Sequence, residues 1–217
     1  MSNLVILFDL DGTLTDPKIG ITRSIQYALT EMGYSLDDGY SLDWCIGPPL
    51  KGCFAQLLNT SDETILNKAL SLYRSRFSTV GLFENFLYPQ ITETLKIIRH
   101  NYKTFVATSK PHVYAKRIIE HFGLLSLFDG IYGSELDGTH SNKSDLIQHI
   151  LLMENLSPTS TVMVGDRHHD IIGAKANGVY SIGVTYGYGT EQELEASGAD
   201  FIAYSPDDIP KLVEKLK

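Results

Sequence analysis

Cysteine is scarce in this chain: Cys45 and Cys53 are the only two among 217 residues. Their spacing matches no zinc pattern, and no Cys/His group nearby completes one. Two reduced, partly buried small apolar residues in a cytoplasmic protein are the expectation. Long apolar runs are missing as well. The run Leu4-Val5-Ile6-Leu7-Phe8 stops at Asp9 and has no basic residue before it, so neither a signal peptide nor a membrane span is expected there or elsewhere. Basic charge is the third deficit. Eighteen Lys and Arg stand against 26 Asp and Glu, a net charge of −8, which argues against nucleic acid polymers, whose phosphates require a basic surface. A small phosphorylated ligand is still allowed, because it needs only one local positive pocket. Repeats, low-complexity stretches and charge blocks are also absent.

What is present reads as an ordinary globular protein, 43% hydrophobic and 20% charged. Six short apolar runs look like strands buried on both faces: Leu4–Phe8, Thr104–Thr108, Gly130–Tyr132, Thr161–Gly165, Ser181–Val184 and Phe201–Ala203. Helical periods separate them, over Ile91–His100, Val113–Phe122, Ser144–Glu154, Asp170–Asn177 and Asp207–Leu216. This alternation predicts an α/β doubly wound parallel sheet. From about Asp16 to Leu82 the pattern is helical only, with periods at Ile19–Leu29 and Leu66–Tyr73 and turn signals at Gly33-Tyr34, Asp38-Gly39 and Gly47-Pro48-Pro49. The expected division is therefore a core of residues 1–15 and 83–217 and an inserted all-helical cap of residues 16–82, standing above the C-terminal edge of the sheet.

The first strand ends in Asp9-Leu10-Asp11-Gly12-Thr13. In an extended strand, positions two apart point to one side, so both carboxylates would share one place and disfavour each other's ionisation. Ligands of a parallel sheet bind beyond the C-terminal strand ends. There the sequence places Asp9 and Asp11, then Thr108, Ser109 and Lys110, then Asp166 with Asp170 four residues on, while Lys143 opens the helix before that last strand. Blander roles stay open for these residues. The two acids suit a solvated turn or a helix cap, Lys143 a solvated side chain, and Ser109 competes with Thr108. His168 and His169 read as solvent-facing or as outer partners of the site's ligands, Arg167 as a substrate-phosphate contact or a partner of surface acids, and Tyr186 and Tyr188, in a loop beside the site, as core or rim packing. Lys51 and Arg23 read as helix-surface charges.

Taken together, Asp9-Leu10-Asp11-Gly12-Thr13, the strand ending at Thr108, Lys143, and Gly165-Asp166-Arg167-His168-His169-Asp170 resemble the four motifs of the haloacid dehalogenase superfamily, in order and over almost the whole chain. The resemblance implies a nucleophile at Asp9, which forms an aspartyl-phosphate, and a general acid and then base at Asp11. It implies Mg2+ held by Asp9, the backbone carbonyl of Asp11 and Asp166, with Asp170 as ligand or as orienter of the bound waters. Thr108, with Ser109 beside it, would hold phosphate oxygens. Lys143 would offset charge on the nucleophile and on the phosphoryl group. Gly12 would form the tight turn that lets backbone N–H groups approach the phosphate. Aspartate at position 11 favours phosphate esters over haloacids. The turn Ile46-Gly47-Pro48-Pro49-Leu50 and Pro17–Thr22 are similar to phosphatases classed as phosphoglycolate phosphatase-like or 5′-nucleotidase-like, and Ile46–Leu50 is the expected substrate-facing loop of the cap. The implied activity is hydrolysis of a small phosphorylated metabolite. The alternatives are a phosphotransferase or mutase of the β-phosphoglucomutase type, or a non-catalytic binding protein on the same fold.

Overall fold

A computed structural model describes residues 4–37 and 39–216. Asp38, half of the expected Asp38-Gly39 turn, lies outside them. The chain forms two compact units: one comprises the segments through Asp16 and from Leu87 onward, the other Pro17–Phe86. In chain order the elements begin β1 (Val5–Phe8), β2 (Thr15–Asp16), α1 (Lys18–Glu31), α2 (Leu50–Leu57), α3 (Glu63–Phe77) and β3 (Phe86–Leu87). They continue with α4 (Ile91–Asn101), β4 (Lys103–Pro111), α5 (His112–His121), β5 (Gly130–Ser134), α6 (Lys143–Met153) and β6 (Thr161–Gly165). The last are α7 (His168–Ala176), β7 (Tyr180–Val184), α8 (Glu191–Ala196), β8 (Phe201–Ala203) and α9 (Asp208–Glu214).

Six parallel strands form one sheet in the order β5-β4-β1-β6-β7-β8. This is the α/β doubly wound architecture expected from the alternation. The chain fills one side of β1 with β4 and β5, then crosses to β6, β7 and β8 on the other. Strand order therefore reverses at β1, and such a reversal opens a crevice beyond the carboxyl ends of the central strands. Phe8, the last residue of β1, lies opposite Val106 of β4 and Val164 of β6. The residues that follow these three strands consequently meet.

Burial on both faces explains why the strands read as runs. Val5 and Leu7 join Phe105, Ala107 and Met163 in a core closed by α6 and α7. Phe8 meets Phe128 edge-on, with ring centroids 6.4 Å apart. Beyond expectation, β4 continues to Pro111, with a shift of register between Thr108 and Pro111. The six-residue α8 went unpredicted because it is too short for a period to show. Its cap is Thr190, whose hydroxyl accepts the Glu193 N–H at 3.1 Å.

In the helical unit, α1 and α2 each pack on α3. Tyr73 stacks on Phe77 at 5.2 Å and meets Phe54 edge-on at 6.3 Å. Asp62 caps α3 by accepting the N–H groups of Thr64 and Ile65. Residues 83–86, expected in the α/β part, cluster with the helices. Glu84 explains this: its carboxylate pairs with Arg23 and Arg76, each at 2.8 Å, and its carbonyl accepts the Gly20 N–H at 3.0 Å. Lys51 pairs with Glu63 at 2.5 Å. Cys45 and Cys53 are buried free thiols. Among the described residues no helix is long and apolar enough to cross a membrane.

Candidate active site

Asp9 leaves the end of β1 with its N–H donating to the Val164 carbonyl at 2.9 Å, which ties it to the neighbouring strand β6. Its side chain meets Lys143, whose Nζ donates to Asp9 Oδ1 and to the Ala107 carbonyl, both at 2.9 Å. Asn142 caps α6 by accepting the N–H groups of Ser144 and Asp145, and so sets Lys143 in the first turn. A cation at a helix N-terminus opposes the helix dipole, and Lys143 is also buried, with 5% exposure. Burial alone would lower its pKa, but the carboxylates of Asp170 and Asp9 outweigh that and raise it above the ordinary lysine value. Only a strongly negative site makes that placement favourable.

Asp170 and Asp166 supply the rest of the negative charge. Asp170 sits in the first turn of α7, where its Oδ2 accepts the Arg167 N–H at 3.1 Å. Its Oδ1 lies 2.8 Å from Lys143 Nζ, an ion pair without hydrogen-bond geometry. Asp166 is fully buried and accepts the Tyr188 N–H at 2.8 Å and the Thr13 hydroxyl at 3.5 Å. The carboxylates of Asp9, Asp166 and Asp170 each offer an oxygen within 4.8 Å of the other two. Burial raises the Asp166 pKa well above its ordinary value, and Asp170 and Asp9 raise it further. Burial likewise raises Asp170, in spite of Lys143.

The donor set fits a hard divalent cation, which takes oxygen ligands. Three buried carboxylates crowd the Lys143 ammonium, and burying their charge is costly unless it is compensated. The Asp11 carboxylate is not part of this group.

Asp9 and Asp11 do not share a side by strand alternation, because β1 ends at Phe8 and the chain turns. Gly12 makes that turn, with φ +87°, and a Cβ there would lie 2.2 Å from Asp166 Oδ2. Its own N–H donates to the Thr15 carbonyl at 2.8 Å. Gly12 thus shapes the turn, and its own N–H is engaged by the Thr15 carbonyl. Each acid meets a lysine of its own, and Asp11 Oδ2 is 2.6 Å from Lys110 Nζ. Burial raises the Asp11 pKa, with Lys110 opposing and Asp9 reinforcing. Thr108 is buried at the same edge, and its Oγ1 accepts the Lys110 N–H at 3.2 Å. The Thr108 O–H proton therefore remains for another acceptor. Ser109 follows it, and its carbonyl accepts from Ser134 Oγ at 2.8 Å.

Arg167 and His168 both turn to Glu193, whose Oε1 lies 2.9 Å from Arg167 Nε and 2.7 Å from His168 Nδ1. His169 is held down at about 4 by burial and by the adjacent His168. Neither histidine belongs to the carboxylate group. Tyr186 donates to the Thr13 carbonyl at 3.1 Å, and Tyr188 donates its hydroxyl to Asp16 while its backbone holds Asp166. The ion pair of Lys110 with Asp11, Thr13 and the Tyr188 N–H were not anticipated. For Lys110 a signal existed: two residues after Thr108 in an extended segment, it points to the same side.

Residues 6–184 match the family model described as haloacid dehalogenase-like hydrolase. The chain is 49% identical over 192 residues to a 5′-nucleotidase of Pseudomonas aeruginosa, covering 88% of this chain and 86% of that protein. It is 34% identical over 203 residues to a Mycobacterium tuberculosis protein named tyrosine-protein kinase PtkA, covering 93% of this chain and 68% of the other. The crystal structure of a predicted phosphatase from Clostridium acetobutylicum superposes with a TM-score of 0.93 at 42% identity, over 99% of this chain and 100% of that one. A family model spanning most of the chain, and relatives aligned along nearly all of it, place the protein among the haloacid dehalogenase-like hydrolases, as a phosphatase.

Proposed function

We propose that the protein is a Mg2+-dependent phosphomonoesterase acting on a small phosphorylated metabolite, of the nucleoside 5′-monophosphate or phosphoglycolate class, through an aspartyl-phosphate at Asp9. The observation that carries this reading is the cluster of three buried carboxylates, Asp9, Asp166 and Asp170, beside Lys143. Asp9, Asp166 and the Asp11 backbone carbonyl would hold Mg2+, with Asp170 as a further ligand or as orienter of its waters. When bound, Mg2+ supplies charge neutralisation for the phosphoryl oxygens.

Asp9 attacks phosphorus with the carboxylate oxygen not engaged by Lys143. As the Asp9–phosphorus bond forms, the bond to the leaving oxygen breaks and Asp11 passes its proton to that oxygen. In the second step a water oxygen bonds to phosphorus, the Asp9–phosphorus bond breaks, and Asp11 recovers a proton from the water. Lys143 stays with Asp9 through both steps and offsets negative charge. The Thr108 hydroxyl, whose acceptor side is engaged by the Lys110 N–H, donates to a phosphate oxygen. Ser109 is the second candidate for that contact. The 5′-nucleotidase relative favours the nucleotide class. A cytoplasmic setting belongs to the same proposal, and the free thiols of Cys45 and Cys53 support it.

The name of the kinase relative favours a second reading, transfer of the phosphoryl group to a hydroxyl other than water. One experiment separates the two. Phosphate release is measured on a panel of esters, including nucleoside 5′-monophosphates, phosphoglycolate and a sugar phosphate, with Mg2+ and with EDTA. Mg2+-dependent release of inorganic phosphate, abolished in Asp9→Asn, is expected. Turnover in EDTA, or full activity in Asp9→Asn, contradicts the mechanism. Isomerised or newly phosphorylated product in place of inorganic phosphate selects transfer.

A further inference from the structure

Lys110 lies outside every role assigned so far, yet its surroundings are built as closely as those of Lys143. The ammonium and the Asp11 carboxylate form a 2.6 Å pair whose side chains are only 6% and 10% exposed. Lysine carries high rotamer entropy and strong hydration, and both are lost at such a position. The backbone beneath it is held from three directions. The Lys110 N–H donates to Thr108 Oγ1 at 3.2 Å, the Ser109 carbonyl accepts from Ser134 Oγ at 2.8 Å, and the register of β4 against β5 shifts between Thr108 and Pro111. Gly133 of β5 makes this path available, since a Cβ there would lie 2.5 Å from the Lys110 carbonyl oxygen.

The two oxygens of Asp11 are consequently unequal. Oδ2 is on Lys110, whereas Oδ1 is buried and has no hydrogen-bond partner. A buried carboxylate oxygen without a partner is costly, and Oδ1 is the oxygen whose hydrogen-bonding capacity is unused. Without Lys110 the Asp11 carboxyl would be free to rotate and turn either oxygen toward the neighbouring carboxylates.

We propose that Lys110 is a positioning residue: by holding Oδ2 it fixes the Asp11 carboxyl with Oδ1 toward the leaving-group oxygen in the first step and the attacking water in the second. This role rests on the aspartyl-phosphate reading above. It differs from direct phosphate binding by Lys110, which would show in substrate affinity.

The test is rapid-mixing kinetics on the Mg2+-loaded protein with p-nitrophenyl phosphate and with a nucleoside 5′-monophosphate. Nitrophenolate leaves without a proton, so the first step with that ester does not need an oriented Asp11. The second step needs it with every substrate. Lys110→Met should therefore give a burst of one nitrophenolate per site at close to the wild-type rate. Slow turnover should follow, reduced on the order of 100-fold, the usual weight of general acid–base catalysis. With the nucleotide no burst should appear and turnover should fall at least as far. KM for both esters should change little, and Lys110→Arg should recover most of the slow-phase rate. The burst itself reports a folded site, and Lys110→Arg supplies the test if Lys110→Met does not fold. Equal loss of burst and turnover overturns the positioning role, as do a rise in KM with kcat unchanged or a Lys110→Arg variant no better than Lys110→Met. In those cases an active wild type leaves the phosphatase mechanism standing. A wild type that releases phosphate without Mg2+ overturns both.

Discussion

Replacing Asp166 by asparagine should stabilise the metal-free protein while removing its response to Mg2+. The three carboxylates approach within 4.8 Å, and at an effective dielectric near 20 each of the two pairs involving Asp166 costs about 3.5 kcal/mol. Lys143 bridges Asp9 and Asp170 and cancels roughly half of that repulsion. Weakening the charged hydrogen bond from the Tyr188 N–H takes back about 1.5 kcal/mol more. The balance is on the order of 2 kcal/mol in favour of Asp166→Asn, or about 4–8 °C in Tm for a chain of this size. For the wild type, Mg2+ at a hundred times its Kd should add about 2.7 kcal/mol, and the variant should gain far less.

The pH dependence follows from the same crowding. A raised native pKa means the folded state binds the proton more tightly than the unfolded one. In EDTA the wild type should therefore lose stability as pH climbs from the ordinary carboxylate value of 3.8 through the raised native value. The Asp166→Asn protein should lose less over that window. Differential scanning calorimetry in EDTA and in Mg2+, across pH, reads all of these effects. An Asp166→Asn protein that melts lower than wild type in EDTA, or that gains as much from Mg2+, would refute the reasoning.

Further outcomes follow from neighbouring groups. Lys143→Met leaves the carboxylate group without its cation and should cost about 3–5 kcal/mol in EDTA. Combined with Asp166→Asn the loss should be smaller than the sum, and simple additivity in chemical denaturation would argue against their coupling. Glu193 feels burial raising its pKa, but the backbone and ring of His168 and the Arg167 side chain prevail and hold it at about 2, against an ordinary value of 4.5. Its contribution is fully present above pH 4.5 and is lost as pH falls toward about 2. With a quarter of the side chain exposed, that contribution is on the order of 1 kcal/mol. Glu193→Gln should remove it, so identical acid-unfolding curves for variant and wild type would contradict that pairing.

The parallel sheet was legible because strands buried on both faces leave an unmistakable run, as in Val5–Phe8 and Thr161–Gly165. The convergence of Asp9, Asp166 and Lys143 could be reasoned from the same source, since parallel strands bring their carboxyl ends to one edge. Strand alternation failed one residue beyond β1. The Asp9–Gly12 segment is a turn, and hydrogen bonds rather than period decide where its groups point, so Gly12 directs its N–H to Thr15. The partner of Lys110 was hidden for a related reason. Alternation puts Lys110 on the side of Thr108, but the path of its backbone depends on a register shift in β4 and a close approach to Gly133, two facts of pairing between strands distant in sequence. The extent of the helical unit turned on Glu84, whose ties to Arg23 and Arg76 cross 61 and 8 residues and leave no local pattern.

The most direct test of the mechanism is chemical trapping of the phosphorylated residue. Protein carrying Asp11→Asn, in which the second step lacks its base, is mixed with p-nitrophenyl phosphate and Mg2+, quenched in acid and reduced with borohydride. Borohydride converts an aspartyl-phosphate to homoserine, which peptide mass spectrometry locates. The account predicts homoserine at position 9 and nowhere else, and none when Mg2+ is replaced by EDTA. Nitrophenolate release in the first turnover with Asp9 unmodified, or modification at another residue, would contradict it.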